Sequence, residues 1–173
     1  MLRAIRSMLS GAGALLLAGA VACSGDPSPD TLPGEDGEPL PEGNVSCSAD
    51  PRIDTYTANM DKPGELGLLS FRFSDVEPAP PAKGSNTFHV RITGADQAPV
   101  TGDLRVALIM PDHGHGTPVT PVISFDEATG EYTVTPLYLF MAGVWRIQFE
   151  AYAGSADGAL PLDRTRLFFC IEG

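Results

Sequence analysis

The sequence is poor in positive charge and lacks the loops that bind phosphate groups. Its 173 residues contain 11 Lys and Arg against 22 Asp and Glu, a formal net charge of −11 at pH 7. An acidic chain repels phosphate backbones, so this balance argues against nucleic-acid binding. Neither a G-x-x-x-x-G-K-S/T nor a G-x-G-x-x-G element is present, which argues against a nucleotide-dependent enzyme.

The common signatures of hydrolases are absent as well. No G-x-S-x-G, H-E-x-x-H or S-x-x-K arrangement occurs, and each of these places a nucleophile or a metal ion in a defined geometry. Asp112 stands next to His113, but no identifiable nucleophile completes a catalytic triad with them. The sequence therefore predicts a protein that is not an enzyme.

The longest apolar run is shorter than a membrane-spanning helix. It covers 8–22, whereas a helix needs roughly 20 apolar residues to cross a bilayer. Arg3 and Arg6 precede this run, and a positive start followed by a short apolar segment is typical of a secretory signal peptide. We therefore expect 1–22 to be a signal peptide.

A cysteine follows the apolar run directly. Ala20, Val21 and Ala22 lead into Cys23, and small residues before a Cys resemble the lipobox of bacterial lipoproteins. The resemblance implies that Cys23 carries a lipid and becomes the first residue of the mature chain; plain secretion after cleavage near Ala22 is the alternative. Ser24 points to sorting to the outer membrane rather than the inner membrane of a Gram-negative bacterium. We expect an extracytoplasmic protein, anchored by its lipid on the periplasmic side.

The segment after this cysteine differs in composition from the rest of the chain. Residues 24–44 contain five Pro, four Gly and six acidic residues, and neither Lys nor Arg. A segment of this kind buries too little apolar area to fold, and its charges repel one another. Together with the lipidated Cys23, the range 23–44 is therefore predicted to be a disordered tether, and 45–173 to be the folded domain.

The three cysteines are compatible with one disulfide. If Cys23 carries a lipid, Cys47 and Cys170 form an even pair near the two ends of the folded domain. An extracytoplasmic setting permits a disulfide between them, and two free buried thiols are the alternative. A metal site is the weaker interpretation of this pair, because no C-x-x-C pattern occurs.

Short strands recur through the predicted domain. Apolar and polar residues alternate with a period of two, as in strands with one buried and one wet face. Turn signals that contain Gly separate the runs, and none of the segments predicts a convincing amphipathic helix. The predicted strands are 65–75, 86–93, 104–110, 122–125, 132–140, 144–152 and 166–171. About seven strands without a helix predict an all-β fold, a sandwich of two antiparallel sheets.

A loop rich in metal-ligating side chains follows one of these strands. Met110, His113 and His115 stand close together, and Gly114 lets the chain wrap between the histidines. Histidines at i and i+2 share a face in an extended segment, so both can ligate one cation with the thioether as a soft third donor. Such a set suits Cu(I) best, and Cu(II) or Zn(II) if Asp112 or water joins. A plain turn with solvated imidazoles and a Met in the core is the alternative.

Several motifs, taken in order, resemble the YtkA-like domain family, whose relatives include FixH-like proteins. The motifs are P-A-P-P-A-K-G-S-N at 78–86, M-P-D-H-G-H-G at 110–116, G-E-Y at 130–132 and L-F-M-A-G-V-W at 139–145. The resemblance extends over 54–149 and implies an immunoglobulin-like β-sandwich outside the cytoplasm. It also implies a link to copper handling, near metal-efflux adaptors or in oxidase assembly.

The resemblance implies a set of metal ligands by position. These are Met110, His113 and His115 from the first loop and Met141 from the M-x-G-x-W turn. The leading hypothesis is a membrane-anchored lipoprotein that binds a transition metal, copper preferred, and contacts a metal-efflux or envelope protein. The alternative is a non-catalytic immunoglobulin-like envelope or adaptor domain that binds a protein partner and no metal. The first hypothesis requires both imidazoles and a Met side chain to come together in the fold.

Overall fold

The computed structural model describes residues 47–173, so the predicted signal peptide 1–22 and tether 23–44 lie outside the described residues. Within 47–173 the chain forms one short 3₁₀ helix, Cys47–Ala49, and nine strands. The strands are β1 (Met60–Pro63), β2 (Ser70–Glu77), β3 (Gly84–Thr93), β4 (Leu104–Met110), β5 (His115–Gly116), β6 (Val122–Asp126), β7 (Glu131–Leu139), β8 (Gly143–Ala151) and β9 (Asp163–Ile171). No helix in this part of the chain is long and apolar enough to cross a membrane.

The strands form two antiparallel sheets. One has the order β1-β2-β3-β7-β6, and the other has the order β5-β4-β8-β9. Without the short strands β1 and β5, this is four strands against three, in the A-B-E-D and C-F-G order of immunoglobulin constant-type domains. The predicted antiparallel β-sandwich is therefore confirmed, and the two strands beyond the predicted seven are short ones.

The two sheets pack through aromatic and branched side chains. Residues of β9 alternate between buried and half-buried along its whole length, as a strand with one inward face requires. Phe149 of the second sheet meets Phe73 and Phe88 of the first sheet, with ring centroids 5.1 and 6.2 Å apart. Trp145, the single Trp of the sequence, is fully buried. A large buried indole at this position fixes the start of β8 in the core.

A disulfide joins Cys47 to Cys170, as the cysteine count predicted, with 5.3 Å between the Cα atoms. Cys47 lies on the 3₁₀ helix and Cys170 lies near the end of β9. Beyond the helix the chain follows β9, because the Asp54 N–H donates to the Phe168 carbonyl at 2.8 Å. The Phe168 N–H in turn donates to the Asp54 carboxylate at 2.9 Å. The start of the domain thus covers part of an edge strand, which would otherwise present unpaired backbone groups.

Candidate metal centre

The end of β4 and the start of β8 meet at one end of the sandwich. Met110 is the last residue of β4, and the chain turns sharply after it: the N–H groups of His113 and Gly114 both donate to the Met110 carbonyl, at 3.2 and 2.9 Å. Gly114 has a φ of 71°, a left-handed conformation that glycine adopts at no steric cost. The turn brings His115 back to pair with Met110 across β4 and β5.

The side chains of Met110 and His113 both end near Gly143, the first residue of β8. A Cβ atom built on Gly143 would lie 2.9 Å from Cε of Met110 and 4.0 Å from Nε2 of His113. Its φ of 129° is also one that side-chain-bearing residues rarely adopt. The absence of a side chain at this position therefore leaves room for the Met110 methyl group and the His113 imidazole beside the start of β8.

The two imidazoles lie side by side at the surface. The ring centroids of His113 and His115 are 5.6 Å apart, with an interplanar angle of 64°, and both residues are exposed. Met110 is fully buried. The two imidazoles are thus neighbours at the surface, and Met110 lies in the hydrophobic core, a burial that the alternative of a plain turn with a Met in the core also predicts.

Aromatic side chains support this end of the sandwich. Phe140 stacks on His115 with 5.9 Å between ring centroids and meets Trp145 edge-on at 5.7 Å. The Trp145 indole N–H donates to the Met141 carbonyl at 2.9 Å, which fixes the backbone of the β7–β8 turn. Met141 lies two residues before Gly143, and its half-buried side chain packs against the hydrophobic core. The structure therefore places all four predicted ligands at the same end of the sandwich.

Asp112, the acidic residue of the loop, is held by an arginine from a distant part of the chain. Its two carboxylate oxygens accept hydrogen bonds from Nη1 and Nη2 of Arg52, each at 2.8 Å. The Asp50 carboxylate also accepts from Arg52, so one guanidinium bridges two carboxylates. Hydrogen bonds from Arg52 lower the pKa of Asp112 below its ordinary value and that of Asp50 to about 2. Sequence analysis missed Arg52, because no local pattern links residues 60 positions apart.

The types of ligand atom determine which metal ions this end of the domain could bind. Within 47–173, no group of three or more His, Cys, Asp or Glu side chains is arranged to hold a metal ion. The predicted set contains two residues of these types, His113 and His115, and its other donors are thioethers. Thioethers select soft ions such as Cu(I), and imidazole also suits copper, whereas Mg(II) and Ca(II) require oxygen ligands. The residues present therefore fit copper and do not fit a hard cation.

The part of the chain that contains the candidate ligands matches a known protein family. The family model described as YtkA-like matches residues 69–150, which include the His loop after β4 and the β7–β8 turn. No curated protein matches the chain, and no solved structure matches it. The resemblance drawn from the motifs is therefore confirmed, and the chain contains a YtkA-like domain.

Proposed function

We propose that this protein is an extracytoplasmic lipoprotein whose YtkA-like domain binds a copper ion at the end of the sandwich that carries Met110, His113 and His115. The observation that supports the proposal most strongly is the position of Gly143, beside which the buried Met110 side chain and the His113 imidazole both end.

Each donor has a distinct part in the proposed site. The Met110 thioether is a soft ligand on the core side, and its full burial keeps it away from bulk water. His113 and His115 are exposed, so an ion reaches the site from solvent through the imidazoles, which ligate metals in their neutral form. The stacking of Phe140 on His115 restricts one of these rings before any ion arrives. We assign the site a binding role and not a catalytic one.

The proposed location rests on the disulfide and on the N-terminal sequence. A disulfide between residues 123 positions apart persists where thiols are oxidised, and a YtkA-like domain fits an extracytoplasmic setting. The proposed anchor is a lipid on Cys23. A Cys23→Ala variant is expected in the soluble fraction after cell lysis, whereas the parent sediments with membranes. Equal solubility of the two proteins removes the anchor from the proposal.

A metal titration tests the site. The full chain is used with Cys23→Ser, so that no free thiol competes, and Cu(I) affinity is measured anaerobically against bicinchoninate. We expect His113→Ala/His115→Ala to weaken Cu(I) binding by at least about tenfold. His89→Ala is the matched control, because this third histidine lies on β3, where its Nδ1 is 3.2 Å from the Glu131 carboxylate, and its loss leaves the affinity unchanged. Equal affinities of the double variant and the parent exclude the site.

Exposed leucines favour a second candidate function, contact with a protein partner. Leu66, Leu68 and Leu160 are 68%, 57% and 90% exposed, and the N–H groups of the first two donate to the buried Asp163 carboxylate, each at 2.9 Å. A loop held in this way presents its leucines to solvent, as interaction sites do. This end is opposite to the metal centre, since β9 begins here and ends beside Gly143. A domain with this function alone takes up no Cu(I) in the titration.

A further inference from the structure

We propose that Arg52 determines the metal selectivity of the centre by withholding the Asp112 carboxylate from the ion. The proposal rests on the copper function proposed above. It concerns a residue outside the His loop and outside the matched region 69–150. It therefore assigns a part of the site to the N-terminal segment of the domain.

Asp112 is the loop side chain that can adapt the centre to a harder ion. It directly precedes His113 and is exposed, and a carboxylate supplies a hard, negatively charged oxygen donor. Two imidazoles and a carboxylate form a donor set typical of Zn(II). With the carboxylate withheld, the loop offers two imidazoles and a thioether, a neutral set that favours monovalent copper.

Arg52 occupies both oxygens of this carboxylate. The two parallel hydrogen bonds, each 2.8 Å long, have the bidentate geometry that makes Arg–carboxylate pairs stronger and more directional than a contact with Lys. A divalent ion that recruits Asp112 must displace one of these hydrogen bonds or use a carboxylate lone pair that the guanidinium leaves free. The positive charge of the bound ion would also lie next to the guanidinium, which repels it. Both effects penalise ligation by Asp112, whereas the imidazoles and the thioether can ligate an ion without displacing Arg52.

Arg52 is itself held in place by hydrogen bonds to a neighbouring carboxylate. Its backbone N–H and its Nε both donate to Oδ1 of Asp50, each at 2.9 Å, and the Asp50 N–H donates to the Cys47 carbonyl at 3.1 Å. Cys47 is bonded to Cys170 on β9. The Arg52 side chain that reaches Asp112 therefore belongs to a segment that the disulfide links to β9. Because the Arg52 side chain is 38% exposed, solvent screens its ion pairs and limits its effect on metal affinity to about one order of magnitude.

Three variants of the full chain, each with Cys23→Ser, test the proposal. Arg52→Gln frees Asp112. Arg52→Gln/Asp112→Asn has the same net charge as the parent but lacks the carboxylate, so it separates ligation from charge. Arg72→Gln is the matched control, because it removes an arginine from another exposed bidentate pair, with Asp61 at 3.0 and 2.8 Å. Zn(II) affinity is measured against a chromogenic chelator, Cu(I) affinity against bicinchoninate, and the Co(II) absorption spectrum reports the ligand set.

We expect Arg52→Gln to bind Zn(II) roughly tenfold more tightly than the parent and to change Cu(I) affinity by less than about threefold. The double variant and Arg72→Gln bind Zn(II) as the parent does. Unchanged Zn(II) affinity in Arg52→Gln, or a gain that persists in the double variant, overturns the proposal. A parent that binds no Cu(I) contradicts the proposed function instead, while the Zn(II) comparison still decides the role of Arg52.

Discussion

Gly143 has no side chain, and the Met110 methyl group and the His113 imidazole lie 2.9 and 4.0 Å from the place where its Cβ atom would stand. In the sequence this glycine is a turn signal within the M-x-G-x-W motif, and the motif also predicts Met141 as a ligand. The approach of Met110 to Gly143 cannot be predicted from either segment, because it depends on how β4 and β8 pair. At the scale of single residues, the residue types in the sequence therefore identified the candidate ligands. The sequence did not predict how close to one another these side chains lie.

Substitution of Gly143 tests this dependence on one small residue. Gly143→Ala places a methyl group 2.9 Å from Cε of Met110 and forces a φ of 129° on a residue with a side chain. We expect the free energy of unfolding to fall by about 1–3 kcal/mol and Cu(I) affinity to fall by about tenfold. Urea denaturation and the bicinchoninate competition measure the two effects.

Gly158→Ala is the control for the backbone effect alone. Gly158 has a φ of 69° with no neighbouring atom within 4 Å of a built Cβ, so its substitution lowers stability slightly and leaves Cu(I) affinity unchanged. If Gly143→Ala binds Cu(I) as tightly as Gly158→Ala, the missing side chain at Gly143 has no part in binding.

At the scale of elements, the long strands were predictable and the two short ones were not. Strands such as β8 show their own alternation of apolar and polar residues, so one buried face identifies them. The sequence M-D-K-P of β1 contains a single apolar side chain that packs on the core, Met60, and the two residues of β5 are both exposed. These strands exist because a partner strand pairs with them, β2 with β1 and β4 with β5. Pairing of this kind leaves no periodic pattern in the sequence.

At the scale of the whole molecule, one covalent bond connects the start of the domain with its last strand. The bond between Cys47 and Cys170 was predicted from the compartment and from the even number of cysteines that remains if Cys23 carries a lipid, and this needed no knowledge of the fold. Its consequence for the candidate metal site could be seen only in the structure. The cross-linked segment continues into Asp50 and Arg52, which hold the loop at Asp112.

Removal of this bond is therefore expected to affect both stability and selectivity. In the chain-entropy model, a cross-link between residues 123 positions apart stabilises the fold by about 4–5 kcal/mol, so Cys47→Ala/Cys170→Ala lowers the free energy of urea unfolding by roughly 3–5 kcal/mol. Cys23→Ser alone, which leaves the bond intact, does not change it. Since the bond also anchors Arg52, the double variant gains Zn(II) affinity in the same direction as Arg52→Gln. A loss of stability without this gain shows that Asp50 alone is sufficient to position Arg52.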